Sequence, residues 1–311
     1  MTSAAKVLRV NAASIDFQNP LLLAAGTAAY GRELEGVIDV DSLGGIVTKA
    51  VSPEPRSGAP APRVAEFEGG MINAVGLANP GLDAVRAEDI PWLERNVRDA
   101  RVIVNVIGKV LEDFATVVEG LSPVSRVDAF ELNVSCPNTK AGGIEFGADP
   151  STLSALIERA RAATSKPLFV KLSPTLPSIA DTARLAVDSG ADGLTLVNTI
   201  PGLVIDVESR KPALGFGTGG VSGPGILPVG VLAVWKASRA VKVPLIGVGG
   251  ITKGTDAIQY LMAGASLVAM GTAAMRDPRA PQRVISEMQS WLEKHGIKSA
   301  NDIVGSLEWQ S

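Results

Sequence analysis

The chain has 311 residues, 46% of them hydrophobic and 20% charged, and a net charge of −3. With 29 Lys and Arg against 32 Asp and Glu, it has no general attraction for nucleic acid or for an anionic membrane. Its single cysteine excludes an internal disulfide and a thiolate cluster built from this chain alone, and fits a reduced, cytoplasmic compartment.

Residues 1–5 lack the apolar stretch of a signal peptide, and no segment has the apolar length of a membrane helix. A cadence then repeats: a short run rich in Val, Leu, Ile and Ala ends in Gly, Asn, Lys or Cys, and a helical pattern follows. The runs are 20–26 (PLLLAAG), 44–50 (GGIVTKA), 101–108 (RVIVNVIG), 129–136 (AFELNVSC), 167–173 (PLFVKLS), 193–199 (GLTLVNT), 244–250 (PLIGVGG) and 267–272 (LVAMGT). They are nearly continuously apolar, as parallel strands covered by helices must be. Eight such runs alternating with helices predict a closed α/β barrel of the (β/α)8, or TIM, class, with residues 1–311 as one domain.

The helices between them show a single apolar face. Leu153, Leu156, Ile157 and Ala160 form one stripe, and Ile179, Ala183, Ala186 and Val187 form another after Pro177, which suits a first helical turn. Gly190 and Gly264 stand where a left-handed residue would end a helix. Three connections, 51–71, 137–150 and 200–221, are too long for plain turns and read as loops over the active site, because they leave the strand ends where barrel enzymes build their sites.

Polar residues interrupt the apolar runs at those same ends: Lys49, Asn105, Asn133, Cys136, Lys171, Asn198 and Thr199. One strand-end Asn is ordinarily a turn-stabilising side chain. Seven polar residues brought to one barrel mouth read as a ligand site. The last two strands end in Gly249-Gly250 and Gly271-Thr272, which suits backbone binding of a phosphate. The G-x-G-x-x-G at 215–220 lies outside any βαβ unit, so it reads as a loop folding back over the site, not a dinucleotide fingerprint. A buried cysteine is usually a small hydrophobe. Cys136 differs because it ends a strand, precedes Pro137, and has lysines at neighbouring strand ends to favour its thiolate. It can serve as nucleophile or general base. The only histidine, His295, lies far from every strand end and reads as a surface residue. That argues against a Cys-His hydrolase and against a histidine metal site.

These residues resemble the dihydroorotate dehydrogenase family, class 1B catalytic subunits in particular. The stretch Asn133-Val-Ser-Cys-Pro-Asn138 with Lys140 and 142–147 (GGIEFG) carries the likeness most strongly. Lys49-Ala50, Asn73-Ala-Val-Gly-Leu77, Asn79-Pro-Gly81, Asn198-Thr199, Ser222-Gly-Pro224, Gly249-Gly250 and Gly271-Thr272 extend it along nearly the whole chain. The resemblance implies oxidation of dihydroorotate to orotate in pyrimidine biosynthesis, with FMN bound in the barrel. Cys136 would take the C5 proton while a hydride leaves C6 for flavin N5. The implied substrate contacts are Lys49, Asn73, Ala74, Val75, Gly76, Leu77, Asn133, Asn198 and Thr199. The implied FMN contacts are Ala25, Lys49, Ala50, Asn105, Asn133, Lys171, Val197, Gly223, Gly249, Gly250, Gly271 and Thr272, with Ala25 acting through its backbone. Class 1B also implies a homodimeric core and partner subunits carrying FAD and a 2Fe-2S cluster, through which electrons reach NAD. Two further readings share the fold: a class 1A-like, fumarate-linked enzyme, and a Schiff-base aldolase using Lys171. A non-enzymatic barrel would be expected to show broken strand ends, and these are intact.

Overall fold

Segments apolar on both faces are stable only in a sheet covered on both sides, and here the sheet closes on itself. The computed structural model describes residues 7–135 and 146–309. Cys136, and residues 137–145 of the loop after it, lie outside the described residues.

In chain order, a short hairpin comes first, β1 (Val10–Ala12) against β2 (Ile15–Phe17). The first two barrel strands are β3 (Leu21–Leu23) and β4 (Gly45–Val47). Next come β5 (Val64–Phe67) and β6 (Gly70–Asn73), which lie outside the barrel. Four barrel strands follow: β7 (Arg101–Val106), β8 (Ala129–Asn133), β9 (Leu168–Leu172) and β10 (Gly193–Leu196). Then come β11 (Ile200–Gly202), β12 (Ile205–Asp206), β13 (Lys211–Pro212) and β14 (Gly219–Ser222). The strands β15 (Leu245–Val248) and β16 (Leu267–Met270) complete the barrel. Its order, β3-β4-β7-β8-β9-β10-β15-β16, returns to β3, and every pairing is parallel. All eight predicted runs therefore become barrel strands.

The helical faces follow the predicted stripes. The helix Pro150–Ala162 buries Leu153, Leu156, Ile157 and Ala160. In the helix Ile179–Asp188, Ala183 and Ala186 are fully buried, whereas Ile179 and Val187 are half-buried. This helix starts later than Pro177 predicts. The Ser178 hydroxyl accepts the Asp181 N–H, so Ser178 is the cap and Pro177 stands before it. Gly190 and Gly264 take positive φ, 110° and 117°, as helix-ending residues should.

The connections 51–71 and 200–221 are not simple loops. Their ends pair as a four-stranded antiparallel sheet, β11-β14-β6-β5, over the barrel mouth. Ile72, Ala74 and Leu214 give this sheet a small core of its own, with Phe67, Val204, Phe216 and Val221 packed around it. The G-x-G-x-x-G segment supplies a strand of it, because Gly219 and Gly220 lie in β14. A Cβ on Gly220 would fall 2.0 Å from Thr199 Oγ1, so only glycine lets β14 lie against the end of β10.

The helix Pro150–Ala162 opens on a side-chain cap. Asp149 accepts hydrogen bonds from the Thr152 N–H at 2.8 Å and from the Ser151 and Thr152 hydroxyls at 2.6 Å. The Ser151 and Thr152 bonds hold its carboxyl down at about 2. A carboxyl lowered by folding stabilises the fold above its ordinary pKa, 3.8, and that gain is lost as pH falls through about 2. Asp149→Ala is therefore expected to lower the Tm at pH 7. The gap to wild type should narrow as pH falls below 3.8 toward about 2, which thermal melts across that range would read.

Candidate active site

The barrel mouth and the antiparallel sheet enclose a cavity of about 490 Å³, within the usual range for small-ligand sites. Lys49, Ala50, Asn105, Asn133, Lys171, Val197, Asn198 and Thr199 line it from the ends of β4, β7, β8, β9 and β10. Ala25 lines it after β3, and Gly249, Gly250, Gly271 and Thr272 do so after β15 and β16. Asn73, Val75, Gly76, Leu77 and Gly223 approach from the sheet above and the turns that flank it. Ala74 does not line the cavity. Along an extended segment neighbouring side chains alternate, so Ala74 turns into the small core of the sheet while Asn73 faces the cavity. Cys136 lies outside the described residues.

The lysine at the end of β4 is braced from two sides. Lys49 N–H donates to Ala29 O at 2.7 Å, and the Tyr30 hydroxyl donates to Ala50 O at 2.9 Å. Burial, with Asp89 and Glu33 adding to it, raises the Tyr30 pKa further and keeps this donor protonated. On the opposite wall Asn198 Nδ2 donates to Ser135 Oγ at 2.9 Å and, more weakly, to Asn133 Oδ1 at 3.4 Å. Its carbonyl accepts the Thr199 N–H at 2.8 Å. From the sheet, Asn73 sits opposite Gly220 in register and donates to its carbonyl at 3.3 Å. Amides thus face the cavity from three directions, offering both donors and acceptors.

The glycine corner after β15 is shaped by its neighbours. Tyr260 donates its hydroxyl to Gly249 O at 2.8 Å from behind. Gly250 has φ +75°, and a Cβ there would meet Leu227 N at 2.6 Å. Thr272 Oγ1 donates to Ser222 Oγ at 2.7 Å, tying the end of β16 to the end of β14.

Sequence reasoning missed several residues. Arg276 and Arg283 also line the cavity, so its described lining holds four cations, with Lys49 and Lys171, and no carboxylate. Lys171, Arg276 and Arg283 are each paired with a carboxylate outside that lining, so the attraction for an anionic ligand is strongest at Lys49. Arg276 pairs with Glu66 of β5 at 3.1 Å, joining the segment after β16 to the sheet above the mouth. The Arg283 hydrogen bond, with help from Arg279, holds the Asp277 carboxyl at about 2. Beneath the cavity, Glu131 is 1% exposed and contacts Asn105, Thr195 and Lys171. Position after Gly271-Thr272 was the available signal for the arginines. His295 is exposed and stacks on Trp291 at the end of the last long helix, as a surface residue would. No helix of the described residues is long and apolar enough to cross a membrane.

The dihydroorotate dehydrogenase family profile matches residues 7–292. A Pelobacter propionicus protein named dihydroorotate dehydrogenase B (NAD(+)), catalytic subunit, is 46% identical over 97% of this chain and 98% of its own length. A Geotalea uraniireducens protein of the same name is 44% identical over 96% and 98%. A Solibacter usitatus protein whose name proposes a dihydroorotate dehydrogenase A (fumarate) is 48% identical over 95% and 96%. With a closed parallel barrel, a cation-lined mouth and relatives matching end to end, the chain belongs to the dihydroorotate dehydrogenase family.

Proposed function

We propose that this chain oxidises dihydroorotate to orotate, with FMN in the cavity and Cys136 as the base, and passes the electrons to NAD through a partner subunit. One observation carries the site reading. Lys49, Asn73, Asn133, Asn198, Thr199 and Lys171 converge on one cavity whose described lining holds cations and no carboxylate. The cavity suits FMN on its own chemistry: a backbone corner at Gly249-Gly250 that Tyr260 supports, and a buried ammonium, Lys171, aimed into it. Ala25, Ala50, Asn105, Val197, Gly223, Gly271 and Thr272 would complete the FMN contacts.

FMN, when bound, supplies the hydride acceptor. The remaining steps belong to this chain. Lys49 offers its ammonium to the substrate carboxylate. Asn73, Asn133, Asn198 and Thr199 hold the pyrimidine by its amide edges, with backbone support from residues 75–77. Cys136 takes the C5 proton, and Lys171 balances negative charge at the ring. The sheet β5-β6-β11-β14 limits water at the mouth. Another subunit would hold the FAD and the 2Fe-2S cluster that carry the electrons onward, since one cysteine cannot ligate a cluster. The chain would work as one domain in a homodimeric core flanked by two such subunits, in the cytoplasm.

The purified chain is expected to be yellow or to take up FMN, and to lose its flavin colour anaerobically with dihydroorotate. NAD reduction should be slow until the partner is added. A protein that takes no FMN sinks the proposal, and rapid NAD reduction by the chain alone sinks its partner. The Solibacter relative favours fumarate as a second acceptor to test, and turnover with fumarate at the dihydroorotate-limited rate would select it. Gly250→Ala is expected to weaken FMN binding at least tenfold. The left-handed backbone costs a non-glycine residue on the order of 1–2 kcal/mol, and the added methyl meets Leu227 N. Flavin fluorescence titration measures this, and an unchanged Kd would place the phosphate elsewhere.

A further inference from the structure

The described residues bury two carboxylates, Asp256 and Glu131. Asp256 is accounted for, because it accepts the Thr252 and Lys253 N–H groups at the start of its own helix. Glu131 caps nothing. It sits in the middle of β8, where an apolar residue would otherwise fill the barrel. Asn105 Nδ2 donates to its Oε1 at 2.7 Å, and Thr195 Oγ1 donates to its Oε2 at 2.7 Å. Lys171 Nζ stands 3.9 Å from Oε1. The four residues come from the adjacent strands β7, β8, β9 and β10, with Asn105 opposite Glu131 and Lys171 opposite Thr195 in register. At 3.9 Å the lysine is attracted to the carboxylate without a hydrogen bond, so its N–H groups stay free for a ligand.

We propose that Glu131 is a positioning residue: it holds Asn105 and Lys171 at the cavity floor and sets the charge that the reduced flavin meets. This rests on FMN occupying the cavity with Lys171 at its ring. A hydride brings two electrons and one proton, so the ring gains negative charge. The Lys171 ammonium stabilises that charge and the Glu131 carboxylate, buried beside it, opposes it. The pair therefore keeps the flavin less oxidising than a lone lysine would, which helps electrons move on.

The test is the midpoint potential of bound FMN in the full chain. Glu131→Gln keeps an oxygen for Asn105 and turns an amide toward the Thr195 hydroxyl, which can accept. Only the charge is lost. The potential should rise by an amount equal to a tenfold change in the reduced-to-oxidised ratio, about 30 mV for this two-electron couple. Thr195→Val, which loses one hydrogen bond and keeps the charge, should shift it by less than half as much. An unchanged or lower potential in the Gln variant overturns the proposal, and so does an equal shift in the Val variant. If the Gln variant cannot hold FMN, urea melts of the apoprotein decide: a stability loss in Lys171→Gln that adding Glu131→Gln partly returns supports the pair, and losses that simply add overturn it. Failure of the wild-type chain to take FMN would instead strike the functional reading itself.

Discussion

Cys136→Ala is expected to keep FMN and to slow flavin reduction by dihydroorotate by roughly 10²–10⁴-fold, the range for losing a positioned general base. The C5 proton is weakly acidic, so the hydride cannot leave C6 easily unless a base takes that proton. No other residue type on the described lining offers a comparable base. The lining's ionisable groups are two lysines and two arginines, with no Asp, Glu or His side chain among them. Ser135, the residue before Cys136 in sequence, is buried and accepts the Asn198 amide. Cys136→Ser should recover part of the rate, with its optimum moved to high pH, because a hydroxyl gives up its proton far less readily than a thiol. Anaerobic stopped-flow bleaching of the flavin separates these variants from defects in FMN binding. Reduction by the Ala variant near the wild-type rate at neutral pH would remove Cys136 from the mechanism.

The barrel was legible because its strands obey one physical rule. Strands covered on both faces are apolar throughout, and a polar residue at the end of such a run stands out against it. Lys49, Asn133 and Lys171 could be read that way, and all three line the cavity. Glu131 could not. It stands inside a run, and its purpose depends on Asn105 and Thr195, far away in sequence and adjacent only once the barrel closes. The antiparallel sheet over the mouth was hidden for a related reason. Its strands carry Pro201, Gly219 and Gly220, which read as turn residues, and β6 pairs with β14 across more than a hundred residues. Ala74 shows the same limit at one residue. The motif that contains it was recognisable, but which side chain of the motif faces the ligand is decided by the pleat of a strand that local sequence did not reveal.

Lys171→Met is expected to be the most damaging single change for stability and cofactor together. The methionine is similar in length and apolar, so packing in the barrel is largely kept. The lost ammonium leaves the Glu131 carboxylate, 1% exposed, with two hydrogen bonds and no cation. Breaking one side of a buried pair typically costs 3–5 kcal/mol. The retained Asn105 and Thr195 bonds and the 3.9 Å separation argue for the lower end here, about 3 kcal/mol. Urea melts of the apoprotein should show this as a lower midpoint with an unchanged slope, which marks lost stability and not a changed unfolded state. Adding Glu131→Gln to Lys171→Met should return part of the loss, because the orphaned charge is then gone. FMN affinity should not return with it, since the cation itself is still missing. Stability and binding would thus separate in one pair of variants. A loss below about 1 kcal/mol in Lys171→Met, the size of an exposed ion pair, would mean that the two charges do not depend on each other in the folded barrel.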